Sequence, residues 1–502
     1  MSNISMTTSK RNAIVTVMLI SAFVSMLNQT ILNTALPAII KGLNITETTA
    51  QWLITGFMLV NGIMIPLTAF LMDKYSTRHL YIFSMAIFLI GSIVAAFSPT
   101  FSILMISRII QAIGAGILLP LMQFTVFTLF PAEQRGFAMG LAGVVVQSAP
   151  AIGPTLTGLF VDLFSWRMPF YLVSAIAAVA FILGFFFVEN NTKTKDIVLD
   201  KISVVYSTFG FGLILFAFSS VSTFGITSLP VIVTFVLGIA IIIIFTTRQL
   251  KLKHPLLNMR VFKNKVFTLS AVSSMLVYIT MVSPALLIPI YIQTGLGQSA
   301  LLSGVVVLPG AVINGLTMVY TGKIFDKHGI KVLVIPGFIL LISMTFLYSF
   351  LTTGTPYWFV ILVYTIRMIA LGLLVMPLNT VGLNALESDD VSHGTAIMNS
   401  LRIIAGAMGT AVSVTILSIV AKQYTASHST MSKMKLTQEA TVHGIDVAFI
   451  FTTVLIIIGF ILAFFSVIHK RRKKSLIIQK NCIRETELWD EPGTQIDVPG
   501  FL

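Results

Sequence analysis

Most charged residues in this chain fall in short stretches between apolar runs of about 20 residues, and that spacing leaves few folds open. A helix rises about 1.5 Å per residue, so roughly 20 apolar residues cross a hydrocarbon core of about 30 Å. Inside lipid each backbone polar group must be satisfied within the segment, which selects helices. This ruler places spans near 13–36, 50–72, 79–99, 102–130, 137–161, 168–188, 204–222, 228–247, 267–292, 300–321, 331–352, 357–384, 393–420 and 446–468. Composition agrees: 56% of residues are apolar and 10% charged, and Phe (38) outnumbers Asp plus Glu (18). Soluble domains carry roughly 25% charged residues. The expected fold class is therefore all-α integral membrane with fourteen transmembrane helices.

The distribution of charge sets the orientation. With the N-terminus inside, internal segments collect Lys10, Arg11, Lys74, Arg78, Arg135, Lys193, Lys195, Lys201, Arg248, Lys251, Lys253, Arg260, Lys263, Lys265, Lys323, Lys327, Lys331 and the run Lys470–Lys474. External loops hold only Lys41, Arg167, Lys422, Lys433 and Lys435. This is the positive-inside asymmetry, which puts both termini in the cytoplasm of a multi-pass cell-membrane protein. The net charge of +14 is thus a membrane signature, and no nucleic-acid partner is expected. The first apolar run is too long for a signal-peptide core and reads as a retained helix. One cysteine, Cys482, excludes an intramolecular disulfide or a thiolate metal cluster. The polar segment after Lys474 reads as a poorly ordered tail that meets anionic lipid headgroups through Lys470–Lys474.

An internal repeat divides the chain. Ala69-Phe-Leu-Met-Asp73-Lys74-Tyr-Ser76-Thr-Arg78 after the second span is echoed after the tenth by Gly322-Lys-Ile-Phe-Asp326-Lys327-His-Gly329-Ile-Lys331. Arg108-Ile-Ile-Gln111-Ala-Ile-Gly114 is loosely echoed by Arg367-Met-Ile-Ala-Leu-Gly372. Repeats eight helices apart imply a six-helix unit at 13–188, an inserted two-helix segment at 189–266 and a second six-helix unit at 267–468, flanked by cytoplasmic segments 1–12 and 469–502. Duplicated halves with a site between them are typical of transporters.

The Asp–basic loops resemble a cytoplasmic signature of the major facilitator superfamily, and the fourteen-helix plan is similar to its drug:proton antiporter branch. Further likenesses are Leu27-Asn28-Gln29-Thr30 through Asn33-Thr-Ala-Leu-Pro37, Gln51-Trp52, Tyr291-Ile-Gln293, and His393-Gly394 through Asn399-Ser-Leu-Arg402. The Asn28-Gln29 form of the first motif looks most like the lincomycin-exporter subgroup. The resemblance implies the major facilitator fold and secondary active export of amphipathic drugs in exchange for protons, without a cofactor or metal, by a monomer.

Particular residues follow from this frame. Asp73 with Arg78, and Asp326 with Lys331, are candidate conformational latches, although Ala69 and Ser76 stand where the family pattern has glycines. Gly153, Pro154 and Gly158 resemble the family's antiporter motif, a close-packing bend on the fifth span. Arg108 resembles an arginine associated with proton transfer, and Arg402 and Arg367 are further costly cations that face a partner, a cavity or, by snorkelling, the interface. Asn28, Gln29, Asn33, Gln147, Asn314 and Asn399 are candidate substrate-cavity amides, with Asn61 and Asn379 behind them; each serves equally as helix–helix glue. For proton coupling the candidates are Arg108, Asp73, Asp326 and Arg402, with Asp162, the Glu387/Asp389/Asp390 cluster and His393 as other titrating groups. No carboxylate reads as deeply embedded.

No GxxxxGK[ST] loop and no HExxH occurs, so a gradient is the expected energy source and no enzyme activity is expected. One charge crossing 100 mV yields about 2.3 kcal/mol, roughly a fiftyfold concentration ratio. A lipid or lipid-precursor flippase and a metabolite exporter of the same fold remain open alternatives.

Overall fold

The structure, a computed structural model, describes residues 7–190, 194–428 and 432–489. It consists of fourteen long α-helices joined by short connections, with no strand among the described residues. The first six are α1 (Thr8–Leu43), α2 (Glu47–Lys74), α3 (Thr77–Ala96), α4 (Phe101–Leu129), α5 (Arg135–Leu163) and α6 (Met168–Phe187). Two more follow, α7 (Lys201–Phe224) and α8 (Leu229–Lys251). The last six are α9 (Lys265–Ile290), α10 (Ala300–His328), α11 (Lys331–Leu347), α12 (Tyr357–Asn384), α13 (Val391–Ser427) and α14 (Lys433–Trp489). Among the described residues, thirteen segments are long and apolar enough to cross a membrane. The fourteenth helix, α5, packs against α1 and α10 over its 29 residues.

Local sequence explains the helix ends. Thr46, Ser76, Thr100 and Ser299 each accept a first-turn backbone N–H and so start α2, α3, α4 and α10. Gly329, at φ 78°, stops α10 directly after His328, a left-handed conformation that suits a residue without Cβ. The last turn of α9 widens into a π-turn at Tyr291–Gly295, just after Pro284 and Pro289 have removed two N–H donors from the helix.

Two helices depart from the sequence reading. α13 spans 37 residues and α14 starts at Lys433, thirteen residues before the expected Asp446, so the pair extends well past the apolar core. α14 also continues through Trp489, where an irregular tail was expected after Lys474. The side chains of Lys470–Lys474 lie outside the described residues.

Packing follows the repeat. α1 contacts α2, α4, α5 and α6, while α9 contacts α10, α12, α13 and α14. Between the two sets, α2 lies against α13 and α10 lies against α5. These two contacts exchange under the repeat, because α10 corresponds to α2 and α13 to α5. The inserted α7 packs on α2 and α13, and α8 packs on the far side of α7 with most of its residues exposed, as a lipid-facing helix should be. At the end of this hairpin nearer Asp73, Arg248 donates through Nε and Nη2 to both oxygens of Asp200 at 2.8 and 3.1 Å. Those bonds hold the Asp200 carboxyl below the usual carboxylate range.

Candidate functional site

Basic side chains gather at the end of the bundle where α2 and α10 finish and α5 and α13 begin. At this basic end the two repeated aspartates cross between the halves. Asp326, at the end of α10, accepts the backbone N–H of Gly136 at 2.7 Å and of Phe137 at 2.8 Å. Both donors are first-turn groups of α5, where exposed N–H groups and the helix dipole favour an anion. Asp73, at the end of α2, accepts from Ser392 Oγ at 2.7 Å and faces His393 Nε2 at 3.5 Å. Ser392 and His393 occupy the positions in α13 that Gly136 and Phe137 occupy in α5.

The two crossings differ for a steric reason. A Cβ on Gly322 would meet the Gly136 carbonyl and Phe137 Cα, so only glycine lets α10 approach α5 closely enough for direct carboxylate-to-backbone bonds. The repeat places Ala69 at the equivalent position on α2, buried, and there Asp73 reaches α13 through side chains. The departure from the glycine pattern noted in the sequence thus changes how the carboxylate bonds and leaves the crossing itself in place.

Neither aspartate takes the partner its sequence neighbourhood suggested. Arg78 donates to the Phe185 carbonyl at 3.0 Å on α6. Asp73 pairs instead with Lys195, whose Nζ lies 2.8 Å from Oδ2 and whose backbone N–H donates to the Asp73 carbonyl at 2.8 Å. Asp326 is satisfied by backbone alone, and the structure assigns Lys331 no ion pair with it. His393 is fixed from both sides. Its Nδ1 accepts the Asn258 backbone N–H at 3.2 Å, which makes Nε2 the protonated nitrogen of the neutral ring, directed at Asp73. Asn258 also donates through Nδ2 to Asp390 at 2.7 Å, tying the α8–α9 connection to the start of α13. Glu387 and Asp390 border a cleft of about 590 Å³ at this end, together with Arg260, Lys263 and Lys265.

Inside the first half, Arg108 on α4 is fully buried. Its Nη1 donates to Gln111 Oε1 at 2.8 Å and Asn28 Oδ1 at 3.1 Å, and Gln111 Nε2 in turn donates to Ser92 Oγ at 3.1 Å. The guanidinium stands 4.1 Å from the centroid of the Phe57 ring. One cation therefore joins α1, α2, α3 and α4. In the second half Arg367 on α12 is equally buried, donating to Thr345 Oγ1 on α11 at 3.0 Å and to the Thr280 carbonyl on α9 at 2.5 Å. The faint echo between the two arginine segments corresponds to equivalent places in the fold. Among the described residues neither arginine takes part in an ion pair, and each keeps an unpartnered guanidinium nitrogen. Such a charge is expensive to bury, so neutral amides, hydroxyls and a ring face must offset its lost hydration.

The amides singled out in the sequence separate into two kinds. Asn399 on α13 donates to Gln123 Oε1 on α4 at 2.7 Å, and Gln147 on α5 approaches Met281 Sδ on α9 at 3.1 Å; both bridge the halves. Asn314, which is buried, ties α10 to α12 by donating to the Met368 carbonyl at 2.6 Å. Asn28 is spent on Arg108, Gln29 is half-buried, and Asn61 and Asn379 are buried. The side chains of Asn33, Pro154 and Asp162 lie outside the described residues. Arg402 is half-buried over the Tyr278 ring, 5.9 Å from its centroid. On α5, a Cβ at Gly153 would strike Thr30 of α1, whereas one at Gly158 would make an ordinary 3.7 Å contact with Thr34. Gly153 is thus a close-approach position and Gly158 is not. The helix remains α-helical from Arg135 to Leu163.

Sequence reasoning missed two participants. Lys195 gave no motif signal, because its partner lies 122 residues away. Asp446 was placed at the mouth of the last span, but it sits well inside α14.

A helical bundle whose two repeated units meet through reciprocal carboxylate crossings is the architecture of a two-halved membrane transporter. The chain belongs to the Major Facilitator Superfamily, whose sequence profile matches residues 18–410. It is 41% identical over 454 residues to the uncharacterized MFS-type transporter YcnB of Bacillus subtilis, covering 90% of this chain and 94% of that one. It is 39% identical over 450 residues to the lincomycin resistance protein LmrB of Bacillus subtilis, covering 89% and 94%. Among solved structures, the human organic anion transporter MFSD10 (TETRAN) superposes with a TM-score of 0.61 at 15% identity, over 89% of this chain and 99% of that one, a likeness of fold. The expected likeness to the lincomycin subgroup is borne out by this similarity to lincomycin resistance proteins.

Proposed function

We propose that this protein is a secondary active exporter of amphipathic drugs, lincosamides among them, that moves its substrates against protons. The observation that carries the reading is the pair of crossings by which Asp73 and Asp326 each join one half to the first turn of a helix in the other. Such contacts form when the basic ends of the halves come together and break when they part, as alternating access requires. With the basic end in the cytoplasm, as the loop charges favour, the arrangement described is the one closed to the cell interior. Asn399, Gln123, Gln147 and Met281 lie where the halves meet and supply adaptable contacts for varied substrates. Arg108 and Arg402, with Asp73 and Asp326, couple the crossing and the buried interior to proton movement. Likeness to the lincomycin resistance protein supports export over uptake. The test is a susceptibility panel in a bacterial strain stripped of its own exporters, including lincosamides and cationic dyes. Expression should raise resistance several-fold for at least one class; unchanged susceptibility to every compound overturns the reading.

A further inference from the structure

Asp73 is buried, and Asp326 and Asp446 are half-buried, each in or at the end of a spanning helix. The first two are fully engaged. Asp73 is met by Lys195, Ser392 and His393, and Asp326 by two backbone N–H groups. Those donors favour the anionic form of both groups. Asp446 differs. Its Oδ1 is buried and has no hydrogen-bond partner among the described residues, and the carboxyl is met only by the Leu351 backbone N–H. Among the described residues it belongs to no ion pair.

Its surroundings are nearly free of charge. Tyr291 of the α9 π-turn lies beside both Asp446 and Tyr357, the first residue of α12, and commits its own hydroxyl to the Thr352 carbonyl at 2.6 Å. Beyond the end of α11, Tyr348 packs at a tilt against Phe449 of α14, with ring centroids 4.9 Å apart. On α14 itself, His443 and Glu439 turn toward α13, where Tyr424 lies 5.3 Å from the His443 ring and donates to Glu439 at 3.0 Å. A carboxylate oxygen left without a donor in such a setting is unfavourable, and a proton removes that cost.

We propose that Asp446 is a proton-loading site for the exchange, on the side of the membrane opposite the Asp73 and Asp326 crossings. The chemistry is a simple equilibrium in which the carboxylate binds one proton to become the neutral acid and releases it unchanged, with no other bond made or broken. The location suits the task, because the pH gradient that drives export delivers protons from the outer side. The adjoining π-turn at Tyr291–Gly295 is a distortion of the kind that recurs at functional sites. This proposal rests on the proton-antiport reading above.

The test combines infrared spectroscopy with transport in the full-length protein, reconstituted in liposomes with lincomycin as the probe. Asp446→Asn keeps an acceptor for Leu351 and cannot take a proton; Asp446→Glu restores the acid. In wild type a protonated-carboxyl C=O band should be present, and Asp446→Asn should lose it and at least tenfold of gradient-driven lincomycin accumulation while retaining exchange without a gradient. Asp446→Glu should recover both. An unchanged infrared band, or accumulation in Asp446→Asn equal to wild type under the same gradient, overturns the proposal alone. Wild-type accumulation indifferent to the gradient overturns the antiport reading and this proposal with it.

Discussion

Gly322 of α10 and Gly136 of α5 face one another so closely that neither has room for a side chain: a Cβ on Gly136 would lie 2.8 Å from the Gly322 carbonyl oxygen. This approach brings Asp326 within hydrogen-bond distance of the first turn of α5. Gly322→Ala should push the helices apart at a cost of about 1–3 kcal/mol, a typical overpacking penalty. The measurement is labelling of a cysteine introduced near Phe137. Labelling from the basic side should rise roughly tenfold or more, while an alanine at Gly315, which has open space around its Cβ, should leave it unchanged.

The latch partners can be separated by substitution. Asp326→Ala removes two charge-assisted hydrogen bonds, each about 1.5–3 kcal/mol, and should abolish resistance without loss of membrane expression. Lys331→Ala and Arg78→Ala should stay within about twofold of wild type, because neither side chain reaches its aspartate. Lys195→Ala should weaken transport by an intermediate amount, read in the same susceptibility assay, since Ser392 and His393 still hold Asp73.

Arg108 is held by geometry as well as charge. Lysine lacks the planar guanidinium that lies over Phe57 while its Nη1 donates to both Asn28 and Gln111. Arg108→Lys should therefore reduce transport at least a hundredfold at normal expression. Arg367→Lys, which loses the fork joining α9, α11 and α12, should instead appear first as a lower melting temperature in detergent.

The inserted hairpin offers a pH test. The Asp200 carboxyl is held below its ordinary value by Arg248, so the stabilisation is present above the ordinary carboxylate range and is lost as pH falls through the depressed value. Asp200→Asn should lower the melting temperature near neutral pH, and the difference from wild type should vanish in strong acid. A difference that is the same at every pH contradicts the assignment.

Much of this was legible in the sequence because lipid imposes a strict code. Helix number follows from apolar length, and the repeated Asp loops point to the two crossings. What the sequence misassigned were the partners. Asp73 and Arg78 are five residues apart and suggest a local pair, yet the actual bond to Ser392 spans 319 residues. The amides were similarly ambiguous: Asn314 and Asn399 look alike in sequence, and only packing makes one a tie within a half and the other a bridge between halves. Asp446 was hidden because hydropathy marks where the apolar run begins and says nothing of where the helix begins. α14 starts thirteen residues earlier, which carries the carboxylate into the helix wall.

Proton antiport is tested most directly by lincomycin accumulation in inside-out vesicles with an acid lumen. Uptake should appear when the lumen is acidified, collapse within seconds when an exchanger dissipates the pH difference, and be matched by proton efflux from the lumen. Uptake that continues unchanged after the gradient is gone would contradict it.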